Sequence, residues 1–553
     1  MNYSASPSWL SSRPSSRSNL SLRQTGSKAP SFFSKALRSV AISTISAVIT
    51  LILFLTAPLL AQTAPSTAPP KGAIAPYDLR VEYLTNPLGV DVAKPRFFWK
   101  NRHSERGQSQ TAFELIVSSS PSADTGDMWE SGKISSDSSI QIVYGGKPLA
   151  SNRTYYWKVR IYDSEDKASP WSEVARFDTG LLAPSDWKGQ WIGSDGLLRR
   201  EFILPEEPRR ARAYIAGLGY YELRLNGRKV GNHVLDPGWT NYKKRVLYAT
   251  YDVTRLLRKG KNAIGVMLGQ GWYKSRALMF ELYVEDASGN VTEIHSDSSW
   301  QTARGPIVED SIYHGETYDA RLEQPGWDRP DFAAPAAATP AGWHPASLVE
   351  GPGGVLSSQM MPAIQVIETI VPLTMTNPAP GVYVFDLGQN ISGWAQLRVN
   401  GPAGTDIRLR FSELLYDNGL INQENLRSAR AEDHYILRGD GATEVWEPRF
   451  TYHGFRYIEV TGFPGTPRLD SIRGRVVHTA VSPAGNFSAS TQILNDIQHL
   501  ILWGQKTNLH SIPTDCCQRD ERMGWMGDAQ VTAEEAMMNF DMAAFYTNFL
   551  RTI

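Results

Sequence analysis

The sequence predicts a multidomain, mainly β chain that turns helical near its C-terminal end. Three observations carry this. Apolar and polar residues alternate with period two from about residue 76 to 475, in short runs broken by turn clusters, the mark of half-buried strands. Near 485 the apolar spacing lengthens to three or four residues, as on an amphipathic helix. The length, 553 residues, corresponds to about three to five domains. With 41% hydrophobic and 20% charged residues, the composition is globular and excludes a disordered, collagenous or many-span membrane chain. A net charge of zero argues against a nucleic-acid-binding surface, which carries a basic surplus.

That zero is unevenly distributed. Residues 1–77 hold seven basic side chains and no Asp or Glu; the remainder has 49 basic residues against 56 acidic ones. Behind Lys35 and Arg38 comes the uncharged run Val40–Ala61, with the apolar centre VITLILFL at 48–55 and the small-residue end LLAQTA. A basic flank, apolar core and small-residue end read as a secretory signal over 1–61, cleaved after Ala61 or Ala64. An uncleaved anchor is the alternative, since the run is long enough to span a bilayer. Residues 62–75 read as an extended linker. The expected location is periplasmic or extracellular, with membrane contact only through an uncleaved leader. Cys516 and Cys517 are adjacent, a poor geometry for a disulfide, and two thiolates alone do not make a zinc site.

Between 76 and 181, FELIV (113–117) and TYYWKVRIY (154–162) each put alternate apolar residues on one face. This stretch resembles a fibronectin-III-like β-sandwich, with Trp99 and Trp157 as core aromatics. A second β-sandwich is expected over 185–345, where Asn226-Gly227 inside ELRLNGRKV supplies the two positive-φ residues of a type I′ hairpin turn. Trp239, Tyr242, Tyr248, Tyr251, Trp272 and Tyr273 crowd this region. They are either a sugar-stacking surface or core, since aromatic rings serve both ends. A third β-domain is expected over 350–475, with Gly388, Gly393 and Gly454 at turns or bulges. Helices are expected at 493–509 and 529–550, on the spacing of Leu494, Ile497 and Ile501 and of the second apolar run.

Between those helices, IPTDCCQRDERMGWMGD (512–528) holds Asp515, Asp520, Glu521 and Asp528, interleaved with Arg519, Arg522 and Trp525. Crowding and burial raise the pKa of one carboxyl in such a group, which suits a general acid. A Trp beside carboxylates suits a sugar ring. The competing reading is a salt-bridged structural loop.

DCCQRDERMGWMGDAQ (515–530) resembles the signature of bacterial α-L-rhamnosidases, glycoside hydrolase family 78. GLGYYELRLNGRKVG, LDPGWTNYKKRVLYATYDVT, LGQGWY and HGETYDAR resemble that family's N-terminal sandwich, and FDLGQNISGW and FTYHGFRYIEV its concanavalin-like domain. The resemblance spans roughly 76–553 and implies that 485–553 begins an (α/α)6 six-hairpin catalytic domain. It implies an inverting hydrolase that releases terminal L-rhamnose from plant glycosides or polysaccharides. Glu521 then matches the general acid. Asp515, Trp525 and Asp528 match substrate-holding positions, and Arg522 stands among them with its role open. Inversion also needs a base about 6.5–9.5 Å from the acid. The family's base lies beyond residue 553, so this chain is expected to lack it and to be truncated within the barrel. Glu534 and Glu535, just past the acid, are not expected to reach the far face of the sugar. No cofactor or metal is expected in the site; the resemblance admits calcium in a sugar-binding N-terminal domain, for which no ligands stand out. Cys517 occupies a position that is usually Pro, and Met526 one that is usually smaller or polar. The alternative is a non-catalytic carbohydrate-binding fragment.

Overall fold

The computed structural model describes residues 72–553. The expected signal segment and nearly all of the linker lie outside the described residues. Among the described residues no helix is long and apolar enough to cross a membrane.

The first β-domain packs a three-stranded sheet (Ala73–Val81, Arg96–His103, Ile142–Val143) on a five-stranded one built around Ala112–Ser118 and Thr154–Tyr162. The last two strands pair antiparallel with Leu115 opposite Val159 and Val117 opposite Trp157. The alternation read from the sequence therefore becomes one apolar face, because successive side chains point to opposite sides of a strand. Trp99 and Trp157 both sit in that core, and Phe97 meets Trp157 edge-on with centroids 4.8 Å apart.

The second domain stacks two six-stranded sheets. Its hairpin forms as expected: Leu225 pairs with Arg228 across Asn226 and Gly227, whose φ values are 49° and 82°. The Asn226 amide also donates to Leu256 O at 2.8 Å and accepts from Ala263 N–H at 2.9 Å, so the turn is tied to the neighbouring strand end. Pro208–Leu218 is buried on both faces. Ala213 and Ile215 face the inter-sheet core, whereas Tyr214, Ala216 and Leu218 pack outward against Trp187 and Trp191. This second covering makes Tyr248 a core ring. Tyr248 and Tyr251 are core residues, Tyr242 packs on Tyr273, Trp272 packs on Tyr313, and Trp239 sits against the helical region. Tyr248 and Tyr251 are thereby removed from any sugar-stacking surface, whereas Trp239, Tyr242, Trp272 and Tyr273 stay half-buried, Trp239 and Trp272 lining a small recess with Arg522 and Met523.

The third domain is a ten-stranded sheet round one apolar core. Strands cross the boundary expected near 345–350 in both directions. Gly315–Asp319 joins the third sheet, parallel to Glu432–Ile436, and Val355–Ser358 joins the second, parallel to Arg245–Asp252. The central strand Val382–Val399 shifts register between Asp386 and Ile391, where Gly388 has φ 73°, as expected for a bulge. Gly454 lies within the strand His453–Thr461 rather than at a turn, and its role emerges at the site.

Three helices end the chain: α1 (Gln492–Thr507), α2 (Met526–Asn539) and α3 (Ala543–Thr552). The helix expected at 529–550 is thus two. Phe540 turns extended and inserts into a buried cluster, while Ala484 N–H donates to Asn539 O at 2.9 Å and Asp541 N–H to Ser482 O at 2.8 Å. Incoming chain captures the break that no Gly or Pro announces. Ile493, Leu494, Ile497 and Leu500 of α1 and Val531 of α2 are exposed, so one apolar stripe of this helical layer has no cover among the described residues.

Candidate active site

The hairpin Leu509–His510 and Ile512–Pro513 hands the chain to the acidic loop. The loop closes on itself: Asp515 N–H donates to Met523 O at 3.1 Å, and Arg522 N–H to Asp515 O at 2.9 Å. Cys516 and Arg522 both take positive φ, so each corner of the loop is a tight reversal of direction.

Arg522 is what the loop is built on. Its side chain is buried, and its guanidinium donates to the carbonyls of Ile312 and Tyr452, to Arg519 O at 3.1 Å and to Gln518 O at 3.4 Å. It also lies over the Tyr452 ring at 4.8 Å. Arg522 therefore anchors the loop to the third β-domain and does not face the groove where a substrate would sit. Beneath it, His510 stacks on Tyr452 at 4.0 Å, and burial lowers the imidazole pKa to about 3. On the other side, a Cβ at Gly454 would stand 2.5 Å from Cys517 Sγ and 2.7 Å from Gln518 N. Only glycine lets the loop lie flat on that strand. Cys517 is buried there, and burial pushes its thiol pKa up to about 12.

Asp515, Trp525 and Asp528 line one open groove of about 830 Å³ between α1 and α2. Trp525 is 48% exposed at the N-terminus of α2, as a stacking platform requires. Glu521 stands next to the groove: carboxylate oxygens of Asp515 and Glu521 and the Cys516 sulfur lie within 4.8 Å of one another. Burial, then the Asp515 carboxylate, push the Cys516 thiol up to about 12. Glu521 Oε2 accepts from Arg519 Nε at 2.7 Å and from Arg427 Nη1 at 3.5 Å, and Tyr313 donates to its backbone carbonyl at 2.9 Å. Oε1 takes no hydrogen bond among the described residues. Asp520 points away from the groove, paired with Ser428 and Arg427, which hold its carboxyl below the usual range.

The structure thus brings together Asp515, Glu521, Trp525 and Asp528 and sets Arg522 apart. It adds Tyr313, Arg427 and Tyr452, which the sequence reading does not single out, and gives Gly454, expected only at a turn or bulge, a place against the loop. Glu535 also stands in this region. It lines the same groove, accepts from Asn539 Nδ2 at 3.0 Å, and burial raises its pKa. The Asp515, Cys516 and Glu521 trio is the one metal-like cluster among the described residues. It does not fit calcium, which takes six to eight oxygens, since it offers a high-pKa thiol and a glutamate already paired with arginines.

Four family models match in succession: an N-terminal immunoglobulin domain over 76–183, the α-L-rhamnosidase N-terminal domain over 206–368, the bacterial α-L-rhamnosidase concanavalin-like domain over 376–478, and the bacterial α-L-rhamnosidase 6 hairpin glycosidase domain over 482–553. An α-L-rhamnosidase of Formosa agariphila is 37% identical, over 85% of this chain and 54% of its own length. The solved α-L-rhamnosidase from Dictyoglumus thermophilum is 47% identical with a TM-score of 0.83, covering 86% of this chain and 57% of that one. The Streptomyces avermitilis α-L-rhamnosidase complexed with L-rhamnose is 31% identical with a TM-score of 0.83, covering 86% and 64%. The chain therefore spans between about half and two thirds of the length of these relatives.

Proposed function

The chain belongs to the bacterial α-L-rhamnosidase family, and from that premise we propose that the enzyme containing it releases terminal α-L-rhamnose from glycosides or polysaccharides. The observation that carries this reading is the groove shared by Asp515, Trp525 and Asp528 with Glu521 beside it. Trp525 offers a flat apolar face to the sugar ring, and the two aspartates accept from its hydroxyls. Glu521 is the general acid. Arg519 and Arg427 hold Oε2, which leaves Oε1 to carry the proton to the departing glycosidic oxygen. Hydrolysis with inversion follows when a second carboxylate activates water on the opposite face of the ring.

The test is rhamnose release from p-nitrophenyl α-L-rhamnoside by the full gene product. Glu521→Gln should lower kcat by about 10²–10⁴-fold, the typical worth of a positioned general acid. Wild-type turnover in that variant would remove Glu521 from the role. Proton NMR of the first-formed sugar reports stereochemistry: inversion yields the β anomer, and an initial α product would exclude it.

The basic leader and the apolar centre at 48–55 support export. A secreted product beginning after Ala61 or Ala64 is expected; an intracellular product retaining Met1 would count against it.

A further inference from the structure

A second recess, of about 460 Å³, opens between the second and third β-domains, away from the groove. Binding sites gather at domain junctions of this kind. Its walls bring Arg224 and Lys229 from one domain towards Arg449 and Arg475 from the other, with Glu222 and Glu447 as the acids. The lining therefore carries more positive than negative charge.

The pairing of these cations is unequal. Arg224 is committed, donating through Nε to Asp328 at 2.6 Å and through Nη1 to Glu222 at 3.0 Å. Arg475 Nε donates to Glu447 at 2.9 Å, an oxygen that also accepts from Trp394 Nε1 at 3.0 Å. Arg449 is different. Its Nε stands 3.8 Å from Glu222, beyond hydrogen-bond range, and its buried Nε and Nη1 have no acceptor among the described residues. The Tyr318 ring, 5.3 Å away, holds the guanidinium plane. Burial would raise the Glu222 carboxyl, but Arg449, Lys229 and Arg224 together keep it below its ordinary value. The side chain is nonetheless 28% exposed, so the face that the guanidinium turns to the recess is open to an acceptor, and a planar carboxylate is the group that fits it best.

We propose that this recess binds a uronic acid residue, its carboxylate accepting from Arg449 with Lys229 and Arg475 alongside, and its hydroxyls donating to Glu222 and Glu447. The two acids are the reason for a sugar acid rather than a compact anion. They repel the dense charge of phosphate or sulfate yet offer acceptors to hydroxyl groups. Binding here is independent of rhamnose release, because no residue of the recess belongs to the groove.

The experiment is calorimetric titration of the whole chain with methyl β-D-glucuronide, methyl β-D-glucoside and sodium sulfate. The glucuronide should bind at least tenfold more tightly than the other two, weaken as salt is raised, and persist in Trp525→Ala. Lys229→Met, a partly exposed site where folding is not at risk, should weaken it at least threefold, and Arg449→Met at least tenfold. Equal affinity for glucuronide and glucoside would overturn the proposal. So would sulfate matching the glucuronide, binding lost with Trp525→Ala, or affinity unchanged by Lys229→Met.

Discussion

Replacing Arg522 with methionine tests whether this residue fastens the acid loop. Methionine keeps length and apolar volume but removes every donor. The carbonyls of Ile312 and Tyr452 then lose a charge-assisted donor inside the protein. Each stranded carbonyl costs about 1–3 kcal/mol, and loss of the Tyr452 stacking adds roughly 0.5–2. Against this, the variant no longer buries a guanidinium that has no carboxylate partner, which returns several kcal/mol. The net loss expected for the loop is about 2–4 kcal/mol, within the range for breaking a buried network. Global melting is a poor assay for so many domains, since two-state behaviour fails. Amide hydrogen exchange reads the loop directly. The Asp515 amide and that of residue 522, each bonded across the loop, should exchange roughly 30- to 1,000-fold faster, from about 1.4 kcal/mol per decade. Amides of the Thr154–Tyr162 strand should be unchanged. Arg522→Lys should recover only part of the protection, because one ammonium cannot reproduce the fork of donors. Loop exchange altered less than threefold in Arg522→Met would refute the anchor, as would equal acceleration throughout the first domain.

Gly454→Ala drives a methyl into Cys517 Sγ and the Gln518 backbone, so kcat/KM should fall at least tenfold while the three β-domain cores keep their exchange protection; unchanged activity would mean that the loop is not held to this strand. Glu535→Gln should change turnover less than about threefold if the base lies elsewhere, since only a positioned acid or base is worth 10² or more; a loss approaching that of Glu521→Gln would make Glu535 part of the chemistry. Glu316 is fully buried, and burial lifts its carboxyl to about 8 from 4.5. The folded state then keeps a proton that the unfolded chain releases, so this group's stabilising contribution is complete below pH 4.5 and is lost as pH rises to 8. His510, neutral when folded with a pKa near 3, works the other way and favours the folded state as pH rises from 3 to 6.5. The difference between wild type and Glu316→Gln isolates the glutamate: their urea midpoints should diverge between pH 5 and 8, with the variant gaining relative stability, and parallel pH profiles would contradict the burial argument.

What was legible in the sequence was local. The Asn226-Gly227 turn is decided by two residues, and the faces of 113–117 and 154–162 by period-two spacing. The groove residues Asp515, Trp525 and Asp528 are close in sequence and share one loop and helix start. What was not legible depends on partners far along the chain. Arg427 meets Asp520 across 93 residues, Tyr313 meets Glu521 across 208, and Arg522 reaches Ile312 across 210. Nothing near 313 or 427 marks those residues as neighbours of an acid. The break of the last helix at Phe540 and the burial of Tyr214 and Tyr248 have the same origin. Segments that arrive from elsewhere, Ser482–Ala484 and the Trp187–Trp191 stretch, supply bonds and apolar cover that override local pattern.

These long reaches bear on what the β-domains are for. The acid loop has few ties to the helices that flank it: its hydrogen bonds run within itself and to the third β-domain. The helices are braced from the other domains as well. Arg80 of the first pairs with Asp541, and Arg245 of the second donates to Asn548 Oδ1 at 2.9 Å. A general acid must be held to within about half an ångström of its working position, and a loop fastened only to two partly uncovered helices would not meet that demand. The β-domains therefore act as the mould in which the acid loop sets. A helical domain expressed without them should fold its helices yet leave Glu521 mobile, and loop amides in such a piece should exchange as fast as in an unstructured peptide. Protection equal to that of the whole chain would show that the helices alone suffice.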